Sequence, residues 1–147
     1  MKIILGKEFS YSKVSCCLYG MIYVEINNYF FPNNEWTDIP TAVIEMWSAN
    51  LTNISAQNGK ILLMFMEGPF YIKGTLKSKR IKLNFVNARG KKKIEKCYVI
   101  NFSDLIKASI NAINDLDAVI KCNNYNILRW NKVLNNRDKL IEMAKIW

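Results

Sequence analysis

The sequence predicts an α+β protein. We expect an antiparallel or mixed sheet of about five to six strands, with a helix inserted after the first strands and C-terminal helices packed on the sheet. Half of the 147 residues are hydrophobic, apolar and polar residues alternate in residues 60–101, and apolar residues recur at helical spacing after residues 40 and 103. Runs of strands with helices set apart from them are typical of this class. No linker or repeat is visible, so residues 1–147 are predicted to form a single domain.

The first strands are predicted within residues 14–31, as a strand pair or one long strand. This stretch is rich in Tyr, Val, Ile and Phe, which suit a pleated, half-buried surface. The turn-forming residues Pro32-Asn33-Asn34 end it.

A first helix is predicted to begin near Pro40 and to stop at Asn58-Gly59. Thr37 or Asp38 is the expected cap, and Trp36 is placed to pack back onto the first turn. Proline is tolerated in a first turn because its missing N–H would have no partner there. One face of this helix is apolar, at Val43, Met46, Trp47, Leu51 and Ile54.

Residues 60–101 predict a meander of strands, broken at Gly68-Pro69 and at Arg89-Gly90-Lys91. A second helix is expected to follow, capped by Ser103 or Asp104. Residues 127–147 have a weaker helical pattern. Asn135-Asn136 is expected to divide that stretch into two short helices.

The absence of histidine excludes several kinds of chemistry. Ser-His-Asp and Cys-His nucleophile systems need an imidazole, and so do most zinc sites. No glycine-rich phosphate-binding loop is present. We therefore expect no catalytic residue, no metal, no cofactor and no enzyme activity. An enzyme using the carboxylates of Glu67 or Asp38 is an alternative, although turn motifs already account for both residues.

Composition also predicts where the chain acts. No run of about 18 apolar residues is present, and the N-terminal apolar stretch is only three residues, Ile3 to Leu5. We therefore expect a cytoplasmic protein that does not bind membranes. The four cysteines, which include no C-x-x-C pair, are expected to be buried reduced thiols.

The positive charge is concentrated in one segment. Residues 73–96 carry ten basic residues and one acid, whereas the net charge is −2 over residues 1–72 and +2 over residues 97–147. Three interpretations stay open: a solvated hairpin, a surface for an acidic protein, and a nucleic-acid site. Because Phe85 alternates with polar neighbours, it is expected to face the core rather than to stack on bases. The candidate partner-binding residues are Lys73, Lys77, Lys79, Arg80, Lys82, Arg89, Lys91, Lys92 and Lys93.

Three pieces of the chain together resemble a known family. They are residues 29–38, with Phe31-Pro32, Trp36 and Asp38; residues 43–47, with a helical Trp47; and residues 65–72, with Gly68-Pro69. Their order is similar to that in immunity proteins of bacterial polymorphic and contact-dependent growth-inhibition toxin systems. The resemblance covers roughly residues 20–85.

The resemblance implies a protein that binds and neutralises a cognate toxin domain in the cytosol, by stoichiometric non-covalent occlusion and without catalytic residues. It assigns no motif residue as a toxin contact, so the segment 73–96 is the better candidate. Inhibitors of nuclease toxins tend to be acidic, whereas this chain is basic. Either the implied toxin has an acidic face or a carboxylate-rich active site, or its binding leaves the charged segment out. The alternative is a nucleic-acid-binding module that uses the same segment.

Overall fold

The structure is a computed structural model that describes residues 1–55 and 57–147. It confirms the α+β class. The single sheet of five to six strands is not confirmed, because eight strands form two antiparallel sheets of four strands each in the described residues. The elements are β1 Lys2–Ser12, β2 Cys17–Ile26, β3 Tyr29–Phe31, β4 Thr37–Asp38, α1 Pro40–Thr52, β5 Lys60–Met64, β6 Phe70–Lys77, β7 Arg80–Asn87, β8 Lys93–Asn101, α2 Phe102–Cys122 and α3 Trp130–Ile146.

The first sheet is built around β2. Strand β1 pairs with one side of β2, and the short β3 and β4 pair with different parts of the other side. Sequence reasoning missed β1. Its register shifts between Leu5 and Phe9, where Gly6, Lys7 and Glu8 interrupt the alternation of apolar and polar residues.

The second sheet is the predicted meander, in the order β5-β6-β7-β8. Alternate side chains point inward from its central strands, and Ile72, Leu83 and Phe85 are fully buried. Phe85 faces the core, as the sequence predicts. On β8, Lys96 is paired with Phe85 but Ile94 is paired with Val86, so that Glu95 forms a bulge.

The expected helix caps are wrong for both of the first two helices. Helix α1 begins at Pro40 as predicted, but Ile39 is its N-cap and no side chain caps it. The Asp38 carboxylate instead accepts hydrogen bonds from more distant donors, which are described below. Helix α2 begins at Phe102 with Asn101 as its N-cap, so Ser103 and Asp104 lie inside its first turn.

The C-terminal segment forms one helix, α3, rather than two short ones. Asn136 is buried, and its Nδ2 donates to Ser48 Oγ on α1 at 3.2 Å. A buried hydrogen bond of this kind outweighs the low helix propensity of asparagine. The contact is between residues distant in sequence, which explains why the sequence pattern did not reveal it.

The core lies between the two sheets and the helices. Helix α1 packs against β2, β5, α2 and α3, and Trp47 at its centre is fully buried. The cysteines are free, as predicted, but not buried: Cys16 and Cys17 are half-buried, and Cys97 and Cys122 are exposed. Among the described residues, no helix combines the length and the hydropathy that a bilayer crossing requires.

Candidate binding face of the second sheet

Asp38 joins the separate motifs of residues 29–38 and 65–72 into one cluster. Asp38 is 1% exposed, and its carboxylate accepts hydrogen bonds from the backbone N–H groups of Ile39 (2.7 Å), Met66 (3.1 Å) and Glu67 (3.2 Å). The indole Nε1 of Trp36 donates to the same carboxylate at 3.0 Å. This carboxylate therefore fastens the chain before α1 to the turn between β5 and β6, which is a structural role.

Gly68 completes this Asp38 cluster. Its φ of +78° is a left-handed conformation, and a Cβ at this position would lie 3.0 Å from Trp36 Cη2. The Trp36 ring packs edge-on against Phe70, with 5.0 Å between ring centroids. The side chain of Glu67 projects from the same turn and is exposed.

The face of the second sheet that points away from the core, here called the outer face, consists of rows of side chains that lie opposite one another across the strands. These rows change from apolar at one end of the face to cationic at the other. At one end Met64, Tyr71, Val86 and Ile94 lie opposite one another and form an apolar row. The next row mixes apolar and charged groups, with Leu62 beside Lys73. The rows at the other end contain Lys60, Thr75, Lys82 and Val99, and then Lys77, Arg80 and Asn101.

The apolar end of the face is unusually open to solvent. Met64 is 42% exposed and Ile94 is 57% exposed, while Val86 between them is buried at 1%. The Nζ atoms of Lys73 and Lys92 lie 5.8 and 5.6 Å from the centroid of the Tyr71 ring, within the range of cation–π attraction. Exposed Met and partly exposed Tyr side chains are of the kinds enriched at the centre of protein interfaces, whereas lysines are more typical of the rim.

The opposite end of the face is cationic. A shallow cleft of about 410 Å³ lies where β6 turns into β7. Its lining combines three cations with two hydroxyl groups, which are groups that hold carboxylates or phosphates well. The lining residues are Thr75, Lys77, Ser78, Arg80, Lys82 and Val99.

Acidic residues are nearly absent from the described strands of this sheet. Strands β5 to β8 contain one acidic residue, Glu95, and its carboxylate accepts hydrogen bonds from Tyr29 Oη and Asn87 Nδ2, both at 2.9 Å. Burial, followed by the hydrogen bond to Glu95, raises the pKa of Tyr29 above its usual value, so the hydroxyl stays a donor. The outward cations of the described strands are therefore not neutralised by acids of their own sheet.

The structure brings about half of the nine predicted site residues together. Lys73, Lys77, Arg80 and Lys82 share the outer face, and Lys92 reaches it over Tyr71. The other four lie elsewhere. Lys79 is in the β6–β7 turn, Arg89 stacks over Phe70 at 5.7 Å, Lys91 lies between β7 and β8, and Lys93 begins β8.

Sequence reasoning missed the apolar part of the face and one cation. Leu62, Met64, Ile94 and Val99 are all exposed there, and Lys60 lies opposite Thr75. Alternation within each strand predicts that such residues point outward. The sequence gives no register between strands, however, so it did not show that they form continuous rows with the lysines.

No protein-family model, no curated protein and no solved structure matches the chain significantly.

Proposed function

We propose that this chain is an immunity protein that binds a cognate toxin domain in the cytoplasm and neutralises it by occlusion, with the outer face of the second sheet as its contact surface. The observation that carries the proposal is the acid-free outer face, on which apolar and cationic rows lie side by side. A face of this composition fits a protein surface that is apolar at one end and carboxylate-rich at the other.

Two features favour a protein partner. Apolar side chains that are exposed in the free chain, such as Met64 and Ile94, gain free energy when a partner removes them from water. The unpaired cations Lys73 and Lys82 attract an acidic partner and accelerate its encounter. The Asp38 cluster supports the proposal indirectly, because it gives the motifs of the family resemblance a shared structural role without any catalytic group.

Nucleic acid is the second candidate partner, and one observation favours it. Tyr71 is a partly exposed aromatic ring between Lys73 and Lys92, an arrangement that suits a stacked base with phosphates beside it. We rank it second because the rest of the apolar row is aliphatic, and aliphatic side chains offer no ring for stacking.

The test is a charge reversal on the outer face. The double variant Lys73→Glu/Lys82→Glu is mixed with the toxin domain encoded beside this chain, and association is followed over a salt series by surface plasmon resonance. We expect association at low salt to slow at least about tenfold, and its salt dependence to flatten, because electrostatic steering is lost.

The matched control is Lys132→Glu/Lys139→Glu, which makes the same change of charge on two exposed positions of α3. Its association rate should stay within about twofold of the unchanged chain. Equal slowing by both variants would attribute the effect to net charge alone. An unchanged association rate for Lys73→Glu/Lys82→Glu would show that the outer face is not the contact surface for the toxin domain.

Titration with duplex DNA and with RNA over the same salt series separates the two candidates. A protein-binding face should give weak binding to both. Tight binding whose logarithm falls steeply with the logarithm of salt concentration, and which Lys73→Glu/Lys82→Glu abolishes, would instead favour the nucleic-acid module.

A further inference from the structure

The free edge of β8 differs from the other sheet edges, and we infer that it binds an extended acidic strand of the partner as a fifth strand of the second sheet. The inference rests on the proposed function, because it takes the partner to be a protein. It adds the mode of contact: main-chain pairing along an edge, beside the outer face already described.

The opposite edge of the same sheet is closed. Helix α1 packs against β5, and the indole Nε1 of Trp47 donates to the carbonyl oxygen of Met64 at 2.7 Å. In the first sheet, β3 and β4 are only three and two residues long, and the register shift after Leu5 interrupts the edge of β1. These devices are the usual ways in which proteins prevent unwanted strand pairing.

Strand β8 is not short, and its bulge at Glu95 lies in its first half. It is nine residues long, and in the described part of the chain no strand pairs with its outer side. From Lys96 to Asn101 its register with β7 is continuous, so six consecutive residues form a straight edge. One side chain reaches this backbone in the described residues: Arg80 Nη2 donates to Val99 O at 3.4 Å.

The side chains of β8 specify the chemistry of the added strand. Cys97 and Val99 point to the outer face and are exposed, so they favour apolar residues beside them. Lys96 lies on the opposite side and is also exposed, and it favours a carboxylate. Lys93 adds a second cation toward the start of the strand. Tyr98 and Ile100 lie on the same side as Lys96 and are half-buried. An extended strand with an acid beside Lys96 and apolar residues beside Cys97 and Val99 is complementary to this edge.

A second copy of the chain fits the edge poorly. Two β8 strands that pair across a two-fold axis would bring Lys93 and Lys96 of both copies onto one ribbon, with no acid to separate them because Glu95 is engaged by Tyr29 and Asn87. Like charges close together across strands are destabilising. The net charge of +9 adds to the repulsion between copies.

The experiment measures amide hydrogen exchange in the full chain by NMR, with and without a peptide of seven alternating Glu and Val residues. We expect exchange of the Lys96–Asn101 amides that face the open edge to slow at least about threefold at a saturating peptide concentration. Amides of β5 should not change. A peptide of alternating Lys and Val is the control and should give no protection. Equal protection by both peptides, or none by the acidic one, would overturn the inference.

A charge-swapped chain sharpens the test. In Lys93→Glu/Lys96→Glu the preference should reverse, so that the Lys-Val peptide protects β8 and the Glu-Val peptide does not. Lys60→Glu, which changes a lysine at the closed edge of β5, should keep the original preference. Dimerisation of the unchanged chain with protection of β8, seen by sedimentation, would replace the inferred partner with a second copy and contradict the inference.

The complex with the toxin domain distinguishes this inference from the proposed function. If the complex forms and the β8 amides exchange at their free rates, edge pairing is wrong while neutralisation by occlusion stands. If no complex forms, the proposed function fails, and protection of β8 by the acidic peptide still reports whether this edge accepts such a strand.

Discussion

The Asp38 cluster and the outer face of the second sheet both contain charged groups, but these groups have opposite surroundings. The carboxylate of Asp38 is buried and accepts hydrogen bonds from three backbone N–H groups and one indole. The ammonium groups of Lys73 and Lys82 project from a face that offers them no carboxylate. Hydrogen bonds within the chain compensate the charge of Asp38, whereas the charges of Lys73 and Lys82 remain available to a partner molecule.

This difference separates stability from binding. A buried group whose hydrogen bonds are all made within the chain contributes to folding, and removing it leaves donors without partners. An exposed cation without a partner contributes little to folding, and its removal is felt only when another molecule approaches. Variants in the two regions should therefore affect different measurements, and the size of the effect on stability should fall from the first region to the second.

The largest effect is expected for Asp38→Ala. The change leaves the N–H groups of Met66 and Glu67 and the indole of Trp36 without their acceptor, so we expect the free energy of unfolding to fall by about 3–5 kcal/mol. Urea unfolding followed by tryptophan fluorescence measures it. Asp38→Asn keeps one acceptor oxygen and should lose less. A fall below about 1 kcal/mol for Asp38→Ala would mean that the cluster does not hold the two motifs together.

A smaller effect is expected for Gly68→Ala, with Gly90→Ala as its matched control. Both glycines have positive φ, +78° and +66°, so both variants place a side chain in a left-handed conformation at about 1 kcal/mol. Only at Gly68 does the new Cβ also meet the rings of Trp36 and Phe70, at 3.0 and 3.2 Å. We therefore expect a loss of about 2–3 kcal/mol at Gly68 and about 1 kcal/mol at Gly90 in the same urea experiment. Equal losses at the two glycines would show that close packing of Gly68 against Trp36 and Phe70 does not contribute to stability.

Local patterns predicted most of the elements of the fold. The meander of residues 60–101, the start of α1 at Pro40 and the inward direction of Phe85 all follow from alternation, proline and apolar spacing within a few residues. Two of the errors share a cause, which is a contact with a distant residue. Asp38 binds the turn at residues 66–67 instead of capping α1, and Asn136 binds Ser48 instead of ending a helix.

The candidate site was predicted only in part, for the same reason. Charge counts located the segment 73–96, and alternation placed Lys73 and Lys82 in the solvent. The apolar members come from strands 20 or more residues away from some of these lysines, and only the register brings Ile94 beside Val86 and Val99 beside Lys82. The open edge of β8 is likewise a property of the assembled sheet, since it depends on which strands have neighbours.

The smallest effect on stability is expected for Lys73→Glu/Lys82→Glu, the variant that should most impair toxin binding. In the sheet Lys73 lies opposite Asn84, and Lys82 lies opposite Thr75 and Val99, so neither loses an ion pair when its charge is reversed. Reversal also places acids among cations that previously repelled one another. We expect the free energy of unfolding to stay within about 0.5 kcal/mol, because the relief of this repulsion is offset by the loss of the cation–π contact between Lys73 and Tyr71. A loss comparable with that of Gly68→Ala would show that the face supports the fold, and slower toxin binding could then no longer be assigned to the face itself.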